Sequence, residues 1–398
     1  MGRIHKFSQN SAYSLMQICT WSFYSILLSF SGNILRSFDF TDSQISLFLG
    51  SAAVVSLCVQ LLIGNLSGKY PDLQVSNILI GLGAMIVLGC FVVRQGAAPV
   101  ILIIGAYGLC CVAVHLIPPL TNGVGMDAIR RGSGTNYSLA RGIGSLGYSV
   151  FAYITGSMVE RYGVMAVPVV GCVSALMLIG GTLWYRGCCL NQLPPHLAEN
   201  TQSSKKGSRD SGFLKKHPSY LIFLIATFLL QVSHASINNF MFQIVQHKGG
   251  TAAMQGTAAA VCAFSELPVI FLFPLLLKKR GSGQWLMLAA CGMLLKPLGT
   301  LLAPSSATFY MAQATQLVGY GLFAISSVTY AESMVDKGES VQAQSFLGSA
   351  TTSGTIVALF SGGVLCQYLG VNAMLMISFG LALAGSACII YAVSRNKG

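Results

Sequence analysis

The chain has 398 residues, 54% of them hydrophobic and only 9% charged, with a formal charge of +12. A soluble domain carries roughly 25% charged residues, so this balance excludes an ordinary soluble protein and makes lipid the main solvent. Nucleic-acid binding is excluded too, because no basic groove interleaved with aromatics is present.

Apolar runs repeatedly reach the ~20 residues that a helix needs to cross hydrocarbon. Twelve spans are expected, near 12–36, 43–67, 74–94, 99–122, 136–160, 164–186, 218–245, 252–277, 283–303, 307–334, 342–369 and 372–394. Many are interrupted by Gly, Pro or polar residues, which suits a polytopic bundle around a polar cavity better than helices facing only lipid. The first span is too long and too aromatic for a signal peptide and lacks a clear cleavage site, so it reads as a retained helix. It offers Gln17, Trp21 and Tyr24 on one face.

In the fourth span, His115 precedes "IPPLTN", where Pro118 and Pro119 are expected to kink the helix near Asn122. The fifth span, "LARGIGSLGYSVFAYITGSM", contains one charge, Arg141. Arg141, Ser145 and Tyr148 stand at i, i+4 and i+7 and share a face. Around them Ser138, Ala140, Gly142, Gly144 and Gly147 form close-packing surfaces. A guanidinium, a hydroxyl and an aromatic ring turned inward suit a polyhydroxylated or anionic solute. The alternative for Arg141 is neutralisation by an acid that merely joins two helices.

The polar interval 187–217 has paired prolines and a Ser/Lys/Gly tract and reads as a linker. It separates an expected bundle over 1–186 from a second over 218–398. The seventh span then places Gln231, His234 and Asn238 at i, i+3 and i+7, with Asn239 and Gln243 close by. Glu266 is the clear mid-span acid of the eighth, Lys296 the cation of the ninth, and Gln313, Gln316 and Tyr320 mark the tenth. A single polar side chain satisfied by a neighbouring helix needs no function. So many spans carry them here that they describe a wet cavity, in which a buried acid and cations seek one another and a carboxylate can take up a proton.

Weak similarity between "GSLGYSVFAYITGSMVERYG" and "GSATTSGTIVALFSGGVLCQYLG" suggests two related six-helix halves. Seventeen of the 23 Lys and Arg fall on the side of both termini and the linker. Arg36, Arg94, Arg161 and Lys248 fall on the other, which sets both termini and the linker in the cytoplasm. Twelve cysteines show no metal-ligand spacing or extracellular framework. With no phosphate loop and no paired metal ligands, neither an ATP-driven pump nor an enzyme is expected, and no cofactor.

"NYSLARGIGSLGYSVFAYITGSMVERYG", "INNFMFQIVQHKGG", "SELPVIFLF" and "GMLLKPLG" together resemble the major facilitator superfamily over essentially the whole chain. They are most similar to the lactose-permease-like oligosaccharide:proton symporters and related bacterial permeases of unassigned substrate. The resemblance implies an all-α membrane protein of twelve helices in two pseudo-symmetric bundles. It implies solute transport by alternating access, with Arg141 on sugar hydroxyls, Tyr148 stacked on the ring and Glu266 both ligand and coupling group. Lys296 takes the place of the cation beside the proton site. Three departures weaken the case for proton coupling. The tenth span lacks the family's His and Glu, "GNLSGKYPD" has Gly68 where an aspartate belongs, and no fourth-span acid is evident, Asn122 and Asp127 being nearest.

The expected function is proton-coupled import of a sugar or glycoside by a monomer in the inner membrane. The candidate solute-binding set is Arg141, Ser145, Tyr148, Trp21, Tyr24, His115, Asn122, His234, Asn238, Asn239, Gln316 and Glu266, with Glu266 and Lys296 for coupling. Uncoupled facilitation or efflux, and a transport-inactive sensor on the same scaffold, are the alternatives.

Overall fold

A computed structural model describes residues 2–69, 74–95, 98–192, 213–335 and 339–395. Most of the 187–217 linker and the end of the "GNLSGKYPD" segment therefore lie outside the described residues, as do the surroundings of Gly68. The helices are α1 (Gly2–Phe23), α2 (Ser31–Arg36), α3 (Asp42–Lys69), α4 (Val75–Gln95), α5 (Val100–Arg130), α6 (Tyr137–Tyr162) and α7 (Ala166–Cys188). After the linker come α8 (Phe213–Lys216), α9 (Pro218–Asn239), α10 (Met241–His247), α11 (Ala252–Leu277), α12 (Ser282–Gly292) and α13 (Leu295–Leu302). The series closes with α14 (Ser306–Ala314), α15 (Tyr320–Ser333), α16 (Ser340–Tyr368) and α17 (Val371–Arg395).

Among the described residues, ten helical stretches are long and apolar enough to cross a membrane. The two expected spans outside that set are α6 and the α14–α15 segment. Both fall short for a chemical reason. The first carries Arg141 amid Ser, Gly and Tyr, and the second is broken by a tight turn at Thr315–Leu317. Side chains such as Leu61, Leu88, Ile101 and Leu302 are more than 60% exposed, which a lipid-facing surface accommodates without cost.

Contacts divide the chain into two compact units. The first holds Met1–Thr41, Phe48–Thr201 and Thr251–Ala260; the second holds Asp42–Leu47, Gln202–Gly250 and Val261–Gly398. Relative to the expected boundaries, the short stretches 42–47 and 251–260 fall in the opposite unit. In the first unit α1 packs along α6 and α7, and α4 along α5 and α7. Tyr13, Phe23, Ile86, Tyr107 and Tyr185 are fully or almost fully buried there. In the second unit α9 packs against α16 and α17, and α12 against α15 and α17. Tyr220, Phe223, Leu286, Phe323 and Ile389 form part of its core.

Small residues set how closely α1 and α6 approach. A Cβ built on Gly144 would stand 2.7 Å from Trp21 Cδ1 and 3.0 Å from the Gln17 carbonyl oxygen, and one on Gly147 would stand 2.8 Å from Ile18 Cγ2. Gly144→Ala is therefore expected to push the two helices apart and to lower stability by about 1–3 kcal/mol, as overpacking does. Thermal unfolding of the purified protein measures it. A melting temperature equal to that of the parent protein would show that the crossing has room to spare.

The two similar sequence stretches run through α6 and α16, and each ends, just past its helix, on a glycine of positive φ. Gly163 has φ 79° and Gly370 has φ 87°, a conformation that glycine adopts without steric penalty. The structure corrects several expected boundaries. The first span contains a π-helical turn at Tyr24–Leu28, and the seventh is interrupted at Phe240. The ninth breaks between Gly292 and Leu295, and the tenth between Ala314 and Tyr320. The fourth helix was expected to end near Asn122 but stays helical to Arg130, passing through Pro118 and Pro119. Each proline removes one backbone donor, and in a packed membrane helix such losses are tolerated.

Candidate functional site

Each unit carries its own buried polar cluster. In the first unit it is built from α1, α5 and α6. The helical spacing of Arg141 and Ser145 becomes a bond, Arg141 Nη1 donating to Ser145 Oγ at 2.9 Å. The guanidinium carbon lies 3.7 Å from the centroid of the Trp21 ring, a cation–π contact strengthened where water is scarce. Trp21 is itself held in place. Its Nε1 donates to Gln17 Oε1 at 3.1 Å, and Gln17 Nε2 donates to Asn122 Oδ1 at 3.0 Å and to the Tyr13 hydroxyl at 2.9 Å. The Tyr13 hydroxyl donates onward to the Thr121 carbonyl. Gln17 is fully buried with both ends of its amide engaged.

An aromatic chain extends the cluster. Trp21 and Tyr24 stack with centroids 5.7 Å apart, and Tyr24 meets His115 edge-on at 5.8 Å. His115 Nδ1 lies 2.8 Å from the Cys111 carbonyl oxygen. A carbonyl only accepts, so Nδ1 carries the proton and Nε2 of the neutral ring is an acceptor. Tyr148 is half-buried on the Arg141 face of α6. Asp127, an expected candidate acid, pairs with Arg131 at 2.9 Å at the end of α5. Trp21, Tyr24, His115, Asn122, Arg141 and Ser145 are thus joined in one network, with Gln17 as its fixed centre.

The second unit's cluster centres on Lys296, which is only 5% exposed. Two helix breaks bring it together. Gly292 closes α12 and Gly319 precedes α15, and their backbones touch: a Cβ on Gly292 would lie 2.3 Å from the Val318 carbonyl oxygen. This crossing sets Lys296, in the first turn of α13, beside Gln316 in the short turn after α14. Lys296 Nζ donates to Asn238 Oδ1 at 2.5 Å and to Gln316 Oε1, and lies 3.3 Å from Cys262 Sγ. Gln316 Nε2 in turn donates to Glu266 Oε1. A neutral amide therefore stands between the cation and the acid, where the sequence suggested a direct approach. Gly321 leaves room for the acid, since a Cβ there would lie 3.2 Å from Glu266 Cγ.

His234 joins the same cluster. Its Nε2 lies 2.8 Å from Asn238 Nδ2, and its ring stacks face to face on Tyr320 at 3.6 Å and 4°. Asn239 points elsewhere: its amide donates to the Ala235 carbonyl of its own helix at 2.8 Å. Gln231 bonds Thr355, and Gln313 bonds Thr300 while accepting from Cys262. Sequence reasoning passed over Cys262, although it stands four residues before Glu266 on the same helix face. It noticed Gln17 and Tyr320 without giving them the tasks described above. Among the described residues no group of His, Cys, Asp and Glu could hold a metal ion.

Comparison with known proteins bears on this arrangement. The model of the MFS_1 like family matches residues 12–375. The uncharacterized transporter YwbF of Bacillus subtilis (strain 168) is 22% identical over 376 residues, covering 94% of this chain and 90% of its own. Among solved structures, the nucleoside transporter NupG superposes with a TM-score of 0.74 at 17% identity, covering 99% of this chain and 99% of its own. A point mutant of the peptide transporter POT gives a TM-score of 0.69 at 9% identity, covering 98% and 95%. At these identities the structures speak for the fold alone.

Proposed function

The chain belongs to the MFS_1 like family of membrane transporters, and from that premise we propose that it carries a sugar or glycoside into the cell together with a proton, by alternating access. The observation that carries the reading is the guanidinium of Arg141. It is bonded to Ser145 and laid on Trp21 within an otherwise uncharged, glycine-rich stretch of α6, where a charge without a task is costly. A planar fork of N–H donors suits paired hydroxyls, and indole and phenol faces suit the apolar face of a sugar ring. NupG is a nucleoside transporter, and nucleosides, as N-glycosides, fall within this class. Glu266 is the group proposed to take up the coupled proton, with Lys296 as its charge partner through Gln316.

A second reading, facilitation without a coupled ion, is favoured by one specific observation. The group that bridges Lys296 and Glu266 is the amide of Gln316, which does not titrate.

The first experiment is a thermal-stability screen of the purified protein against lactose, melibiose, uridine and adenosine, with a dipeptide as control. A ligand at 100 times its dissociation constant stabilises by about 2.7 kcal/mol. Stabilisation by a sugar or nucleoside supports the reading, and stabilisation by the dipeptide alone overturns it. Orientation is tested separately. With both termini and the linker proposed to be cytoplasmic, Ser204→Cys in intact cells should gain no labelling by an impermeant thiol reagent over the unsubstituted protein. Efficient added labelling would reverse the orientation.

A further inference from the structure

Lysine has three N–H donors and no acceptor, so each atom its ammonium bonds must offer a lone pair. Asn238 and Gln316 both turn their amide oxygens to Lys296. The orientation of each amide follows from the cation alone, without hydrogen positions being seen. With Oδ1 on the ammonium, the NH2 group of Asn238 faces His234 Nε2. An amide NH2 only donates. Nε2 must therefore be the bare nitrogen of the imidazole, and the neutral ring carries its proton on Nδ1.

Charging the ring would break this order. A proton on Nε2 would set two donors against each other, and turning the Asn238 amide over would only move the conflict to Lys296. Both conflicts would sit in a nearly dry place, since His234 is 8% exposed, and an unmade bond is expensive there. The groups around the ring agree with a neutral state. Lys296 faces it from α13 and the Tyr320 ring covers it from α15. Of α11, Cys262 lies against Lys296 and Glu266 accepts from Gln316. The two helices packed along α9, namely α16 and α17, carry no acid, lysine or histidine, and Arg395 is the last residue of α17.

We propose that Lys296, acting through Asn238, holds His234 as the neutral Nδ1–H tautomer, a fixed hydrogen-bond donor that takes no part in carrying protons. A solute that meets this donor must present an acceptor, such as a hydroxyl, a carbonyl or a ring nitrogen. That last consequence rests on the transporter reading, whereas the tautomer does not, so the two fail separately.

The test is nitrogen-15 NMR of the full-length protein in detergent, labelled on its histidine rings. The chain has six histidines, and His234→Gln identifies the signals of interest. Between about pH 5 and 8, where an ordinary histidine changes charge, His234 should keep a protonated Nδ1 and a bare Nε2 throughout. Asn238→Leu removes the NH2 donor and should let the ring titrate or populate both tautomers. Should that variant fail to fold, Asn238→Asp supplies an acceptor in the same place and should draw a proton onto Nε2. A wild-type His234 that titrates in this window, or whose proton resides on Nε2, overturns the proposal, as does an unchanged tautomer in the folded Asn238→Asp protein.

Discussion

Arg141→Lys is expected to weaken solute binding by about 30- to 1,000-fold, equivalent to roughly 2–4 kcal/mol, while the protein still folds. Lysine keeps the positive charge. It loses the planar fork, the paired donors and the flat face that lies on the Trp21 ring at 3.7 Å. The bond to Ser145 Oγ at 2.9 Å is also lost, because an ammonium on a four-carbon stem does not reproduce the angle of Nη1. The contribution of the indole contact is about 0.5–2 kcal/mol, so most of the effect belongs to hydrogen bonds made to the solute. Tyr148→Phe should be mild and Tyr148→Ala severe if the ring stacks on the solute. Binding is read by thermal stabilisation with the ligand that the screen identifies, and folding by the melting temperature without it. A well-folded Arg141→Lys protein of undiminished affinity would make the arginine a device for pairing helices.

Glu266→Gln is expected to abolish accumulation driven by a pH gradient while retaining some downhill exchange. The substituted amide can still accept the bond from Gln316 Nε2 through its own oxygen, so the local hydrogen bonding survives. What disappears is the ability to gain and lose a proton. A one-unit pH gradient is worth about 1.4 kcal/mol per proton, enough for about tenfold accumulation at one proton per solute. That ratio should fall to about one in the variant, the point at which no gradient is used. Lys296→Gln should damage folding as well as transport, because the ammonium serves two amide oxygens and a shorter, neutral amide neither reaches both in the same way nor supplies the charge. Uptake in right-side-out and inside-out vesicles, with and without an imposed gradient, distinguishes the cases when accompanied by a stability measurement. A stable Glu266→Gln protein with the parental pH response would leave uncoupled facilitation as the mechanism.

Much of the architecture can be read from apolar length. The eighth span was expected at 252–277 and α11 occupies Ala252–Leu277; α17, expected at 372–394, runs Val371–Arg395. Helix existence in lipid follows from hydrogen-bond satisfaction within one segment, which is a local property. The breaks are not local. Nothing in "YSILL" announces a π-helical turn, and the discontinuities after Gly292 and Ala314 depend on two backbones meeting at Gly292 and Gly319. The site divides along the same line. Arg141 and Ser145 could be paired from helical periodicity because both stand on α6. The Asn238–Lys296–Gln316–Glu266 chain joins four different segments, so periodicity within any one of them leaves the pairing open. Asn239, beside Asn238 in the sequence, donates to the preceding turn of its own helix, a bond that its neighbour's position does not announce.

The placement of one ammonium under two amide oxygens also constrains how this sequence can drift. An apolar residue at 296 leaves two buried oxygens without a donor, and each such loss costs about 1–3 kcal/mol. Changes at 238 or 316 that come first remove one acceptor at a time and leave the cation with fewer partners in a dry place. The three positions should therefore be strongly epistatic, with double variants departing from additivity by about 0.5–3 kcal/mol. A descendant lineage that lost Lys296 would be expected to have replaced Asn238 and Gln316 within the same short interval, and His234, freed from its fixed tautomer, would then be open to a new chemical task.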